Sequence, residues 1–161
     1  GFDHTDNLVR ARENHPTYSF QYLDLNNNND TEKFNLVTCF ETLEHVGDVS
    51  VALHNLLRMT QKNGILIISV PIEIGILGIV KFFVKRLIYR YKLPLSCDDI
   101  TYLLALVKGC DISKFRIKSD GYGSHFGFDY RIIDKQLSLD SMVSEVKSWN
   151  SFTTRLYVIR V

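Results

Sequence analysis

No charge of one sign dominates this chain, no disulfide framework is written into it, and no apolar run stays unbroken for long. Lys and Arg number 19 against 18 Asp and Glu, a net charge of +1. That balance removes any global electrostatic argument for nucleic acid or a membrane. The three cysteines, Cys39, Cys97 and Cys110, are odd in number and lack metal-ligand spacing. They read as reduced thiols in a cytosolic protein. No secretory signal stands at the amino end. The most apolar stretch, Gly64 to Val84, is interrupted by Pro71 and Glu73 and then by Gly75 and Gly78, so a strand, a loop and a helix explain it better than a membrane span. Hydrophobic residues make up 45% of the 161 residues and charged ones 23%, as in one globular domain with a real core. No methionine precedes Gly1, which reads as the end of a strand, so the expectation is that the amino-terminal portion is unrecorded.

Phe34 to Phe40 is short, apolar and β-branched, as expected for a buried strand of an α/β sheet. Glu41, Glu44 and His45 follow its carboxyl end, the edge at which open α/β sheets bind ligands. A helical turn there would bring the three side chains to one side. Two carboxylates and an imidazole suit an acid/base site or a metal site. A polar, solvated helix start accounts for the same residues equally well.

The remaining elements follow from local pattern. Gly1 to Asp3 end a strand, and a helix capped by Thr5 or Asp6 stops before Pro16. Tyr18 to Leu23 alternate as a strand, and Asn26 to Asp30 form a polar loop. Asp48 caps a helix with Ala52, Leu53, Leu56 and Leu57 on one face, ended by Asn63-Gly64 in the left-handed manner. Ile65 to Val70 is a second buried strand. Tyr130 to Leu137 is a short helix. Ser141 to Phe152 and Thr154 to Val161 form an antiparallel hairpin around Asn150-Ser151. The alternation of strand and helix predicts a mostly parallel sheet.

Residues 72–115 leave that rhythm. Ile76 to Lys92 reads as an amphipathic helix, with Ile76, Val80, Phe83, Val84, Leu87 and Tyr91 in one stripe. Lys81, Lys85, Arg86, Arg90 and Lys92 occupy the other half, with no acid between Lys81 and Lys92. A second helix, capped by Asp98 or Asp99, runs to about Lys108. The pair is expected to be a helical lid, and the basic helix 76–92 is a candidate for peripheral contact with anionic lipid. An ordinary surface helix carries the same pattern. Ser119 to Phe128 is glycine-rich and holds His125, without the lysine spacing of a phosphate loop.

Asp3, Asp24, Leu43-Glu44-His45-Val46 and Lys62-Asn63-Gly64-Ile65-Leu66 together resemble a class I S-adenosylmethionine-dependent methyltransferase. The resemblance is strongest to the small-molecule O-methyltransferases of ubiquinone-biosynthesis type. It implies a Rossmann-like, mostly parallel sheet with a carboxy-terminal antiparallel hairpin, a single domain over 1–161, and a helical insertion at about 72–115. It also implies roles for individual residues. Asp3 would accept hydrogen bonds from the cofactor ribose, with His4 at the cofactor edge. Asp24 and the Leu25 backbone would meet the adenine, and Cys39, Phe40 and Glu41 would line the methionine end. His45, with Glu41 and Glu44, would face the acceptor as the catalytic group.

The glycine-rich loop and first strand of that family are missing here, which leaves the strands ending at Asp3 and Phe40 without a common partner. The motif Glu41-x-x-Glu44-His45 also resembles the metal site of certain O-methyltransferases, including RNA 2′-O-methyltransferases, with His125 as the further ligand. Mg²⁺ or Mn²⁺ would suit such a set. The leading expectation is O-methylation of a small molecule, a lipid-linked intermediate or a sugar, in a cytoplasmic protein at or near the inner membrane surface and capable of forming a homodimer. RNA 2′-O-methylation ranks second, because no aromatic-basic groove is visible and nucleic acid is therefore disfavoured as a partner. A non-catalytic relative that binds through an open sheet edge ranks third.

Overall fold

The computed structural model describes residues 2–3, 5–28, 32–88, 97–116 and 127–161. Strand β1 (Phe2–Asp3) leads into helix α1 (Thr5–Asn14), which ends before Pro16, and β2 (Gln21–Tyr22) returns parallel to β1. Strand β3 (Phe34–Phe40) is followed by helix α2 (Val49–Met59) and the long strand β4 (Thr60–Pro71), parallel to β3. The chain then forms α3 (Gly75–Ile88) and α4 (Cys97–Lys108), helix α5 (Arg131–Leu139), and the strands β5 (Glu145–Ser151) and β6 (Thr154–Arg160).

Among the described residues the strands form two sheets, β1-β2 and β3-β4-β6-β5. The last strand, β6, enters antiparallel between β4 and β5. Thus β1 and β3 share no pairing, in keeping with the missing common partner expected from sequence. The two sheets are tied through the loop after β2. Asn26 donates to the Asp48 carbonyl at 2.7 Å and accepts from the Asp48 N–H at 3.0 Å. The buried Asn55 amide on α2 donates to the Leu25 carbonyl at 2.8 Å.

One core lies between the sheet and the helices α2 and α5. Leu53 and Leu57 of α2 and Ile133 and Leu137 of α5 meet Leu66 and Ile68 of β4 and Tyr157 and Ile159 of β6. Asp48 starts α2 as foreseen, its carboxylate accepting from the Ser50 and Val51 N–H groups. A second, smaller core joins α3 to α4, with Phe82 packed against Tyr102, Ala105, Leu106 and Ile112. The insertion therefore carries its own apolar centre.

Three expectations need correction. Strand β3 is buried on one face only: Val37 and Cys39 point into the core, while Leu36 is 56% and Phe40 54% exposed. Among the described residues it is an edge strand of its sheet, and those two side chains are left exposed. Asn63 does adopt a left-handed φ of 66°, but inside β4, because α2 already ends at Met59. Its amide donates to the Val161 carbonyl at 2.6 Å, which makes that bend part of the sheet. The hairpin turns at Phe152 and Thr153, since Ser151 pairs with Thr154. The expected glycine-rich segment around His125 lies outside the described residues over 117–126, as does the end of the first lid helix over 89–96.

Gly78 sets how closely α3 approaches the end of β4. A Cβ at this position would sit 2.2 Å from the Glu73 carbonyl oxygen and 3.0 Å from Leu106 Cδ2. The Gly78→Ala variant is therefore expected to lose about 1–3 kcal/mol through overpacking, seen as a lowered thermal midpoint.

Candidate functional site

Most of the residues singled out by sequence stand at, or just past, the carboxyl ends of the parallel strands of the two sheets. Asp3 closes β1, and its Cα pairs with that of Tyr22, so Asp24 follows two residues beyond the end of the adjacent strand β2. Asp24 is half-buried, and one of its oxygens accepts from the Asn26 N–H at 2.9 Å, which shapes the turn. The Leu25 carbonyl is already engaged by Asn55, so the backbone there is fixed. His4 lies outside the described residues.

At the end of β3, Cys39 is buried, and its thiol is pushed up to about 12, chiefly by desolvation. It is a packing residue rather than a nucleophile. Phe40 stands exposed beside it. Glu41 has a left-handed φ of 46°, a conformation that costs a non-glycine residue about 1–2 kcal/mol. Its N–H donates to both the carbonyl (3.0 Å) and the hydroxyl (3.2 Å) of Ser69 on β4, and the Ser69 hydroxyl donates to Glu41 Oε1 at 3.0 Å.

That backbone conformation explains why residues 41–45 are not the helical turn considered from sequence. A positive φ at Glu41 cannot continue a right-handed helix, and the chain instead makes a turn closed by His45 N–H to the Thr42 carbonyl at 2.9 Å. Glu41 is turned toward Ser69, while Glu44 is driven inward and is 1% exposed. His45 is half-buried, with Nε2 3.8 Å from Glu44 Oε1. Among the described residues, no three His, Cys, Asp or Glu side chains form a group able to hold a metal ion. Glu41, Glu44 and His45 do not make the expected metal set, and His125 lies outside the described residues. No step is assigned to a metal.

Three residues that local sequence reasoning missed complete the edge. Glu73, just beyond β4, is buried and pairs with Lys81 of α3 at 3.2 Å. Lys81 also donates to the Ile72 carbonyl at 2.9 Å. Arg116 donates from one guanidinium nitrogen to the Leu43, Glu44 and Val46 carbonyls, clasping the turn from the far end of the insertion. Glu41, Pro71, Glu73, Lys81, Val84, Thr153 and Thr154 line a cavity of about 320 Å³. Only the isolated acid Glu73 and the basic run of α3 hinted at this pair, and nothing local pointed to Arg116.

A family model described as a methyltransferase domain matches residues 2–79. No curated protein matches the sequence. Among solved structures, the PH0226 protein from Pyrococcus horikoshii OT3 superposes with a TM-score of 0.59 at 12% identity, over 99% of this chain and 71% of its own. The CMeT domain of the citrinin polyketide synthase gives 0.57 at 11% identity, over 98% and 37%. Magnesium protoporphyrin IX methyltransferase (ChlM) from Synechocystis PCC 6803, solved with bound SAH, gives 0.50 at 15%, over 94% and 56%. The chain has a class I methyltransferase fold. It spans little more than a third of the polyketide synthase domain structure and just over half of the ChlM chain. Asp3, Asp24 and Glu41 each lie at or just past the carboxyl end of a strand in one of the two parallel pairs.

Glu44 makes that edge sensitive to pH. Burial above all, with the negative charges of Glu41 and Glu73, raises its carboxyl to about 7 from an ordinary 4.5, against the pull of Arg116. A carboxyl raised in the folded state favours the neutral form, so its contribution to stability is complete below about 4.5 and is lost as pH rises through about 7. The Glu44→Gln variant is expected to match the parent in thermal midpoint near pH 5. Above pH 8 it should be the more stable, by on the order of 1–3 kcal/mol, measured by melts across that range.

Proposed function

We propose that this chain carries out S-adenosylmethionine-dependent methyl transfer to an oxygen of a small molecule, a lipid-linked intermediate or a sugar. The observation that carries the reading is the position of Glu41. It closes a parallel strand at the ligand-binding edge, its backbone is bent out of the strand, and its side chain lines the 320 Å³ cavity. The residues present suit the cofactor. Asp3 ends β1 and Asp24 lies two residues past the end of its parallel neighbour β2, and a carboxylate offers several acceptor sites for a ribose diol. ChlM, which shares the fold, was solved with bound SAH.

When bound, the sulfonium cofactor supplies an electrophilic methyl group. The chain's own contribution is to hold the acceptor in line and to take up its proton. Asp3 and Asp24 are assigned to the nucleoside, with Leu25, Phe40 and Cys39 shaping its surroundings. Glu41, oriented by Ser69, faces the acceptor and accepts the hydrogen bond of its hydroxyl. Glu73 is neutralised by Lys81, so Glu41 is the carboxylate lining the cavity whose charge is not matched by a lysine. Glu44 and His45 lie next to each other behind this layer. Because Glu44 titrates near neutrality, the field at Glu41 changes with pH.

Calorimetric titration with S-adenosylhomocysteine tests the assignment. Binding is expected, and Asp3→Ala should weaken it about tenfold or more, the worth of charged hydrogen bonds to the ribose. Glu41→Ala should keep that affinity and reduce turnover of a methyl acceptor by about tenfold or more. A chain that folds yet binds no S-adenosylhomocysteine would overturn the proposal and favour a binding module.

A further inference from the structure

The apolar stripe of α3 faces outward. Ile76 is 79% and Leu87 81% exposed, and Val80, Phe83 and Val84 are each about half exposed. Their spacing puts all five on one side of the helix. The opposite side is the one that packs inward: Phe82 is buried against Tyr102, with ring centroids 5.8 Å apart, and Gly78 abuts the Glu73 carbonyl. The sequence stripe would suit a core-facing side, yet the insertion fills its core with other residues. Helix α4 repeats the pattern, with Ile100, Leu104 and Val107 exposed at helical spacing. Isolated exposed leucines mean little, but a continuous apolar stripe marks a surface that something covers.

Charge selects what covers it. Helix α3 contains no acidic residue, and with Lys81 committed to Glu73 it still carries Lys85 and Arg86, while the sequence runs on through Arg90 and Lys92 without an acid. An apolar stripe on a helix with only positive charges is the composition of a helix that lies in the headgroup region of an anionic bilayer. The same helix borders the candidate acceptor cavity, because Val84 belongs both to the stripe and to the cavity lining. We propose that α3 docks this chain on an anionic lipid surface, with the cavity opening beside the docked stripe. On the methyltransferase reading above, the acceptor would then be a molecule held in the bilayer that offers its hydroxyl at the headgroup level.

Cosedimentation with vesicles tests the docking without reference to catalysis. The purified protein is expected to sediment with vesicles containing phosphatidylglycerol, to stay in solution with phosphatidylcholine alone, and to release as salt is raised. The double variant Ile76→Glu, Leu87→Glu should reduce binding about tenfold or more with an unchanged thermal midpoint, since both side chains are exposed. Lys85→Glu with Arg86→Glu keeps the stripe and should abolish the preference for anionic vesicles. Equal binding to both vesicle types, or binding that neither variant weakens, would overturn the proposal. So would a dimer seen by light scattering, split by the first variant, in a protein that binds no vesicles. Titration with S-adenosylhomocysteine in the absence of vesicles reads the methyltransferase assignment separately, so the two can fail independently.

Discussion

The pairing of β3 with β4, carried one residue beyond the end of β3, fixes where Glu41 stands. The Glu41 N–H reaches the Ser69 carbonyl as if the ladder continued, yet Glu41 has already turned into a left-handed conformation. Ser69 then closes the arrangement by donating its hydroxyl to the same carboxylate. Just past Pro71, where β4 ends, the same stretch of chain that holds Glu41 brings in the second carboxylate, Glu73, and part of the cavity wall. The turn after Glu41 drives Glu44 inward, where burial holds it near neutrality. Three carboxylates thus take three different electrostatic settings from one strand pair.

The insertion is stapled to that edge by cations that donate mainly to backbone carbonyls. Lys81 joins the start of α3 to the Ile72 carbonyl, and Arg116 clasps the 43–46 turn. Arg131, held by Asp129, reaches the Gly109 and Cys110 carbonyls at 2.8 and 3.0 Å and so binds the exit of α4 to the start of α5. Burial lowers the pKa of Arg116, and the nearby Glu44 and Asp48 carboxylates oppose that shift. Fixed carbonyls suit a planar guanidinium, which presents several donors in a rigid fork. The α3–α4 pair is therefore positioned by directed polar contacts, while its interior coheres through Phe82, Tyr102 and Leu106.

Elements specified by local pattern were legible in the sequence. The Asp48 cap, helix α4, and the hairpin pair β5 and β6 arise within short windows, and each forms close to its expected place. The unjoined pair of sheets was also readable, because it follows from strand order. What was not readable depends on distant partners. Ser69 lies 28 residues from Glu41, and Arg116 lies 70 to 73 residues from the carbonyls it holds. Amphipathicity showed that α3 has an apolar side but not which way that side faces, since the helix packs through Gly78 and Phe82 instead. Asn63 kept its left-handed preference while its role moved from helix end to strand bend, decided by its bond to the Val161 carbonyl.

The small β1-β2 sheet has its own structural consequence. It is fastened to the larger body through the Asn26–Asp48 exchange and the Asn55 amide, with Leu25 tucked into the common core. A two-stranded unit joined through this loop is expected to open ahead of the larger sheet, as cooperative subunits of stability do in native-state hydrogen exchange. Amides of β1, α1 and β2 would then exchange with deuterium sooner than those of β4 and β6. On the proposed assignment, cofactor and acceptor held between Asp3 and Glu41 would bridge the two sheets and slow that exchange, so occupancy would be recorded as rigidity far from the ligands themselves.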